Sequence, residues 1–384
     1  MSGTLAELVT PGCRVAVGDG SGCPIPLLGE LSDAARAAGG VELLLGWAPA
    51  PLDGLDLSAF ASVRTFMGGY ALRKPIDAGE VHYLPCRLGS APGLVRGFLR
   101  PDLFIVSLGR GSDGGLRCTT EGGWSRAAIE AANRVAVLER PGSPVLDVGP
   151  AVADADVVIV GSSDLPPTPL RWGTPDDVAR AVASEAVRWL PEGCRIQYAP
   201  GAIGDAVLDA AVTAIGIDTG ILTDSVIDLD RRGLLLGRPL APYVAGGAEL
   251  YDWCRGRVDV DRLERTHDFN RLSADTPPFC AVNTALEVDL DGQVNVESAG
   301  GSAIAGIGGH PDYAAGAVRS ATGLSMLLVP TVRGGHPTLV DRLSVPASTP
   351  AHDIEIIVTE LGSADLRGLD RRQRREAIAK LWSG

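Results

Sequence analysis

The chain has 384 residues, 45% hydrophobic and 5% aromatic, and its 34 basic and 47 acidic side chains give a formal charge of −13. That length suits two or three domains with sizeable aliphatic cores, and the acidic balance argues against a nucleic-acid-binding role, which calls for a basic face. The 7 cysteines show no CxxC or other ligand spacing, which argues against a zinc site and a disulfide framework and makes them small apolar core residues.

The N-terminus, Met1-Ser2-Gly3-Thr4-Leu5-Ala6-Glu7, has no basic-then-apolar signal pattern, and no run of about 18 apolar residues occurs. The expectation is a cytoplasmic protein with no membrane and no nucleic acid among its partners. Arg14-Val15-Ala16-Val17, then Gly18-Asp19-Gly20-Ser21-Gly22, a helical run at 27–38 and a strand at 41–45 read as a βαβ unit. The turn is not GxGxxG and reads as structural. Residues 51–100, with Gly68-Gly69, Pro75, Pro85 and Pro92, read as irregular. Apolar runs at 103–107, 135–138 and 157–160 lack alternation, as strands of a parallel sheet covered on both faces do. Between them, 109–123 reads as a loop and 125–133 as a helix, with Arg110 and Arg126 in solvated surface roles. Thr174-Pro175-Asp176-Asp177 opens the clearest helix, with Thr174 as N-cap and Pro175 in the first position. Its apolar face is Val178, Val182, Ala186, Trp189 and Leu190. Pro191-Glu192-Gly193 stops it, and the boundary between two halves, 1–190 and 191–384, is placed there.

The second half starts with a strand at Ile196-Gln197-Tyr198, a turn at Ala199-Pro200-Gly201-Ala202-Ile203-Gly204, and a helix over 205–212. A turn at a helix start presents unpaired N–H groups, suited to an anion or a developing oxyanion. A further extended segment runs from Gly216 through Asp218, Thr219, Gly220 and Asp224 to Leu229. Residues 230–280 read as an insertion or cap, and 282–295 as two strands with a turn at Asp291-Gly292. Glu297-Ser298-Ala299-Gly300-Gly301 follows, then Gly306-Ile307-Gly308-Gly309-His310-Pro311-Asp312-Tyr313, whose glycines allow close backbone approach to a ligand. The chain closes with an Arg-rich helix over 370–382.

From 195 to 368 these stretches resemble the acetyl-CoA hydrolase/transferase family, which includes 4-hydroxybutyrate and succinyl-CoA:acetate CoA-transferases; a weaker likeness covers nearly the whole chain. Family members read Gln-x-Gly-x-Gly-(Ala/Ser)-(Ile/Val), a helix, then Gly-(Ile/Val)-His-(Thr/Ser)-Glu-(Met/Leu). Gln197, Gly201, Ala202, Ile203, Gly216, Ile217 and Thr219 fit this pattern. Asn283, Ala285, Gly292, Gln293 and Val294 fit a later one, and Gly306, Gly308, Gly309 and Asp312 fit Gly-x-Gly-Gly-Gln-x-Asp-Phe. The departures are Ala199 for the first turn glycine, Asp218 for the His, His310 for a frequent Gln, and Gly220 at the nucleophilic Glu. In the family that carboxylate attacks the thioester and then carries CoA as a glutamyl thioester. Gly220 has no side chain with which to do so.

The resemblance implies an α/β protein of two similar open-sheet domains of CoA-transferase type, with the site in the cleft between them. It also implies a homodimer and a CoA thioester as substrate, with coenzyme A present only as the substrate moiety, no other cofactor and no metal. It sets Gln197, Ala199, Gly201, Ala202, Ile203, Gly306, Gly308 and Gly309 against CoA. The acid–base candidates left are His310, Asp218 and Glu297. His310 is new relative to the family and titrates near neutrality. Any of the three can activate water as a general base, with N–H groups at 201–203 for the oxyanion. The structural reading beside it is hydrogen bonding for Asp224 and Glu297, and capping or pairing for Asp218. The expected function is attack on a CoA thioester without a glutamyl-CoA intermediate, by hydrolysis or a related acyl or C–C cleavage. Two alternatives stay open: a CoA-transferase passing CoA to a small carboxylate, with its nucleophile at Glu249, Glu287 or Glu297, and a non-catalytic acyl-CoA-binding homologue.

Overall fold

The computed structural model describes residues 3–383. Two compact units emerge: one runs to Leu170 and takes up Ala241–Glu264, and the other comprises Arg171–Leu240 and the chain from Arg265 onward.

In the first unit, β1 (Arg14–Val17) leads through α1 (Leu28–Ala38) to β2 (Glu42–Leu45), β3 (Ser62–Thr65) and β4 (His82–Tyr83). Then come β5 (Leu103–Arg110), β6 (Leu116–Arg117), α2 (Ser125–Ala131), β7 (Arg134–Glu139) and β8 (Val158–Ser162). The sheet order is β4-β3-β2-β1-β5-β7-β8, with β6 beside β5. Only the β5–β6 pair is antiparallel. β5 is buried along all but its last residue, as its unbroken apolar run demands of a central parallel strand. α1 buries Leu28, Leu31, Ser32, Ala34 and Ala35, one stripe at helical spacing. Strand order reverses between β1 and β5. In open α/β sheets, ligands bind outside the carboxyl ends of the strands at such a reversal.

The second unit repeats this plan. It holds α3 (Asp177–Ala186), β9 (Arg195–Tyr198), α4 (Ala202–Ala210), β10 (Ile215–Asp218), β11 (Leu235–Ala241) and β12 (Phe279–Thr284). α5 (His310–Ala317), β13 (Leu324–Leu328), β14 (Ile356–Thr359), β15 (Gly362–Asp365) and α6 (Arg371–Ser383) complete it. The strands run β11-β10-β9-β12-β13-β14-β15. All these pairs are parallel except β14–β15. The order reverses between β9 and β12, so the turn at 199–203 leaves the sheet at the switch point.

Several expectations change. Residues 51–100 contain β3 and β4, whose short lengths hid them among prolines and glycines. Residues 230–280 are no insertion: β11 belongs to the second sheet, and Ala241–Glu264 belongs to the first unit. α3 starts at Asp177, and its N-cap is Asp176, whose carboxylate accepts from Ala179 N at 2.8 Å. The buried stripe is therefore Ala179, Val182, Ala183 and Ala186, and Val178 is exposed. α3 packs against α4 and β14, which places it in the second unit. Arg126 is not solvated: it is buried in the first turn of α2 and ion-paired with buried Asp147. Arg110 does lie exposed, paired with Glu139 and Asp154. All seven cysteines are free thiols, six of them buried and Cys86 half-buried. Among the described residues no helix is long and apolar enough to cross a membrane.

Candidate active site

The second unit gathers most of the residues singled out in the sequence. β9 ends in a buried stretch that includes Gln197, whose Oε1 has no hydrogen-bond partner. The chain leaves the sheet at Ala199, whose N–H still bonds Val282 O at 3.0 Å across to β12. Gly201, with φ of 110°, makes the sharp turn into α4, a conformation open to glycine alone at little cost. Gly204 is fixed there for another reason: a Cβ on it would lie 1.8 Å from Ala199 O. Gly201, Ala202 and Ile203 border a cavity of about 360 Å³, together with Thr284 at the end of β12, Asp176 and Arg333. The first N–H groups of a helix have no intrahelical acceptor, and the positive end of its dipole lies there. Arg333 anchors itself through Nη2 to Ala285 O at 3.2 Å, and burial pulls its guanidinium pKa downward.

Asp218 closes β10. Its carboxylate is buried and accepts from Arg195 Nη1 at 2.6 Å and from both Arg271 Nη atoms, Nη2 at 3.0 Å. Two guanidinium partners thus engage both oxygens of the carboxylate. Gly220 follows, with no positive φ to require a glycine. A Cβ there would meet only Tyr313, at 3.5 Å from Cε2 and 3.8 Å from Oη, which is ordinary contact.

The glycine loop ends at Gly309, the N-cap of α5. Gly308 takes φ of 61°, and a Cβ on Gly309 would stand 2.5 Å from His267 Nε2 and 2.9 Å from Tyr313 Cε2. The loop is thus pressed against a pair of rings. His310 opens α5. Its Nδ1 lies 2.6 Å from Thr349 Oγ1, while its enclosed Nε2 has no partner. Burial pushes its pKa down to about 4, so the ring is neutral at pH 7. Its carbonyl accepts from Asn283 Nδ2 at 3.5 Å. Glu297 Oε2 accepts from Ser348 Oγ at 2.5 Å. Ser348 and Thr349 are consecutive, and Val294 clamps both: Ser348 N donates to Val294 O at 2.8 Å and Val294 N to Thr349 O at 3.1 Å. One segment therefore touches both His310 and Glu297, while Asp218 belongs to a separate arginine-bound cluster. Glu287 is also engaged, accepting from Asn295 Nδ2 and from Ser344 N and Oγ.

Sequence reasoning passed over His267 and Tyr313. Their rings pack 4.6 Å apart at 44°, and His267 Nε2 and Tyr313 Oη are both buried without partners. Burial holds the His267 pKa near 3. It also passed over two acids in the first unit, Asp19 just beyond β1 and Glu121 before α2. Asp19 Oδ2 accepts from Trp47 N at 2.8 Å, Trp124 Nε1 at 3.0 Å and Tyr243 Oη at 3.2 Å. Burial still raises its pKa to about 6. Glu121 accepts from Thr119 Oγ1 at 2.9 Å and Thr120 Oγ1 at 2.6 Å, and burial lifts its pKa to about 7. In the sequence each acid stands next to glycine, Gly18-Asp19-Gly20 and Glu121-Gly122, and in the fold a Cβ on Gly22 would fall 2.0 Å from Glu121 Oε1, and one on Gly46 2.2 Å from Asp19 Oδ2. Among the described residues no group of His, Cys, Asp and Glu is arranged to hold a metal ion.

Comparison with known proteins gives a consistent neighbourhood. Residues 246–382 match the acetyl-CoA hydrolase/transferase C-terminal domain. The butyryl-CoA:acetate CoA-transferase of Anaerostipes caccae is 26% identical over 351 residues, 82% of this chain and 76% of that protein. The acetyl-CoA hydrolase of Saccharomyces cerevisiae is 29% identical over 238 residues, 53% of this chain and 43% of that protein. In structure, RipA from Yersinia pestis superposes with a TM-score of 0.87 at 21% identity, covering 99% of this chain and 93% of RipA. That likeness establishes the fold.

Proposed function

We propose that this chain, whose residues 246–382 match the acetyl-CoA hydrolase/transferase C-terminal domain, cleaves an acyl-CoA thioester by hydrolysis, without a glutamyl-CoA intermediate. The observation that carries the reading is Gly220. At Gly220, where the sequence resemblance sets the family's nucleophile, there is no side chain, no positive φ demands a glycine, and a Cβ would find room. The acidic alternatives in the same unit are committed: Asp218 to two arginines, Glu287 and Glu297 to serine and asparagine donors.

The base in this reading is His310. With Nδ1–H donating to Thr349 Oγ1, Nε2 carries the lone pair and has no competing partner. It takes a proton from water as the water oxygen attacks the thioester carbon, and returns it to the departing CoA thiolate. The cavity at the start of α4 takes an anionic part of the CoA arm, between the helix N-terminus and Arg333. The same reading takes the working form as a cytoplasmic homodimer.

An acyl-CoA panel, run with and without a small carboxylate acceptor and followed by mass spectrometry of products and intact protein, tests this. Free CoA without acceptor, lost in His310→Ala, is the expected result. New acyl-CoA formed only with acceptor, together with a CoA-sized adduct on the protein, would overturn it in favour of transfer.

A further inference from the structure

Tyr313 lies one turn along α5 from His310, so the two side chains leave the helix on one face. The Tyr313 ring packs at a tilt against His267, at 4.6 Å between centroids, and Phe279, at 6.1 Å. Those contacts fix the ring and do nothing for its hydroxyl, which is buried with no partner in the protein. A buried hydroxyl left unpaired is costly, and such groups are ordinarily satisfied by something. The hydroxyl stands 3.8 Å from where a Cβ on Gly220 would be, and Gly220 itself is only half-buried. A longer side chain at 220 would extend from a Cβ already in contact with the phenol, and glycine leaves that position beside the hydroxyl empty of side-chain atoms.

We propose that Tyr313 is a catalytic hydrogen-bond donor: its hydroxyl, unpaired beside Gly220, holds the carbonyl oxygen of the acyl group during thioester cleavage. This rests on the thioester reading above and adds the group that stabilises the charge. Burial drives the Tyr313 pKa well above the usual phenol value, so the oxygen keeps its proton and serves as a donor. As the water oxygen bonds to the carbonyl carbon, the C=O electron pair moves onto the oxygen, which becomes an oxyanion held by the Tyr313 O–H. When that pair re-forms the carbonyl, the C–S bond breaks and the CoA sulfur leaves with its electrons. It takes the proton that His310 removed from water. The net change is thioester plus water to carboxylic acid plus thiol. Donors aimed at developing negative charge inside a water-poor site act through the transition state, so their loss falls on kcat.

Tyr313→Phe removes one oxygen atom and keeps the packing. The expected result is a kcat on the best hydrolysed acyl-CoA lowered about 100-fold, with KM and thermal midpoint little changed. A kcat within threefold of the parent overturns the proposal. A second measurement does not depend on turnover. Two inert ligands, a CoA ketone in which CH2 replaces the thioester sulfur and an S-alkyl-CoA without the carbonyl, are titrated by calorimetry into parent and variant. The parent should favour the ketone about fivefold, as one neutral hydrogen bond allows, and Tyr313→Phe should erase that preference. Equal binding of both ligands by the parent, or a preference kept by the variant, sinks the role of Tyr313 alone. No binding of either ligand by the parent sinks the CoA reading, and this proposal with it.

Discussion

In the first unit two buried acids, Asp19 and Glu121, carry raised pKa values; in the second, two buried imidazoles, His267 and His310, carry lowered ones. Both pairs are pushed toward their neutral forms by the same cause, loss of water. The consequences for stability have opposite signs. Folding raises the acids from 3.8 to about 6 and from 4.5 to about 7. The folded state keeps protons that the unfolded chain releases, so this contribution is whole below about pH 4 and fades as pH rises through 6 and 7. Folding lowers the imidazoles from 6.5 to about 4 and about 3. Their contribution is whole above about pH 6.5 and fades as pH falls toward 4 and 3. The two acids thus weaken the first unit toward alkali, and the two imidazoles weaken the second toward acid.

The largest effect tests whether the ion clusters of the two units are equivalent. Asp218→Ala strands Arg195 and Arg271, and Asp147→Ala strands Arg126. Each substitution should cost about 4 kcal/mol in urea unfolding; a loss under about 1 kcal/mol in either would show that unit tolerating a naked charge. Next, Glu121→Gln should spare roughly 2 kcal/mol of the stability the parent loses between pH 5 and pH 8. If parent and variant share one pH slope, the alkaline weakness belongs to other groups. His267→Phe keeps the ring stack and should save roughly 1.5 kcal/mol between pH 7 and pH 5, read from the same unfolding curves. A saving on the alkaline side instead would reverse the comparison. Smallest of all, Gly220→Ala should move stability by less than about 0.5 kcal/mol, since its Cβ meets only Tyr313 at ordinary distance. A loss beyond about 1 kcal/mol would mean that the glycine is needed for the fold.

Much of the frame was legible in the residues. Unbroken apolar runs marked β5, β7 and β8, and strand, turn and helix from Ile196 to Ala210 appear in the predicted order, because periodicity and Gly201 are local signals. Asp176 took the cap that Thr174 was expected to fill, since either residue type satisfies a helix start and the packing of Ala179 and Val182 decides the register. Arg126 and Asp218 were harder. Whether an arginine is solvated or buried depends on a partner such as Asp147 that no local pattern announces. His267 and Tyr313 are separated by dozens of residues and meet only through tertiary packing. The nearest thing to a warning was Gly309, which their rings crowd.

The interrupted course of the first unit bears on how the chain is made. The chain leaves that unit after Leu170 and returns at Ala241. The returning segment brings Tyr243 to Asp19, the Val244 N–H to Thr120 O at 2.8 Å, and the Gly246 carbonyl to Leu170 N at 2.9 Å. A nascent chain emerging from the ribosome therefore exposes β1 through β8 long before these closing contacts exist, and Asp19 waits for its third donor while much of the other unit is synthesised. Completion of the first unit is tied to the progress of the second, and a fragment ending at Leu170 lacks the segment that seals its acids from water.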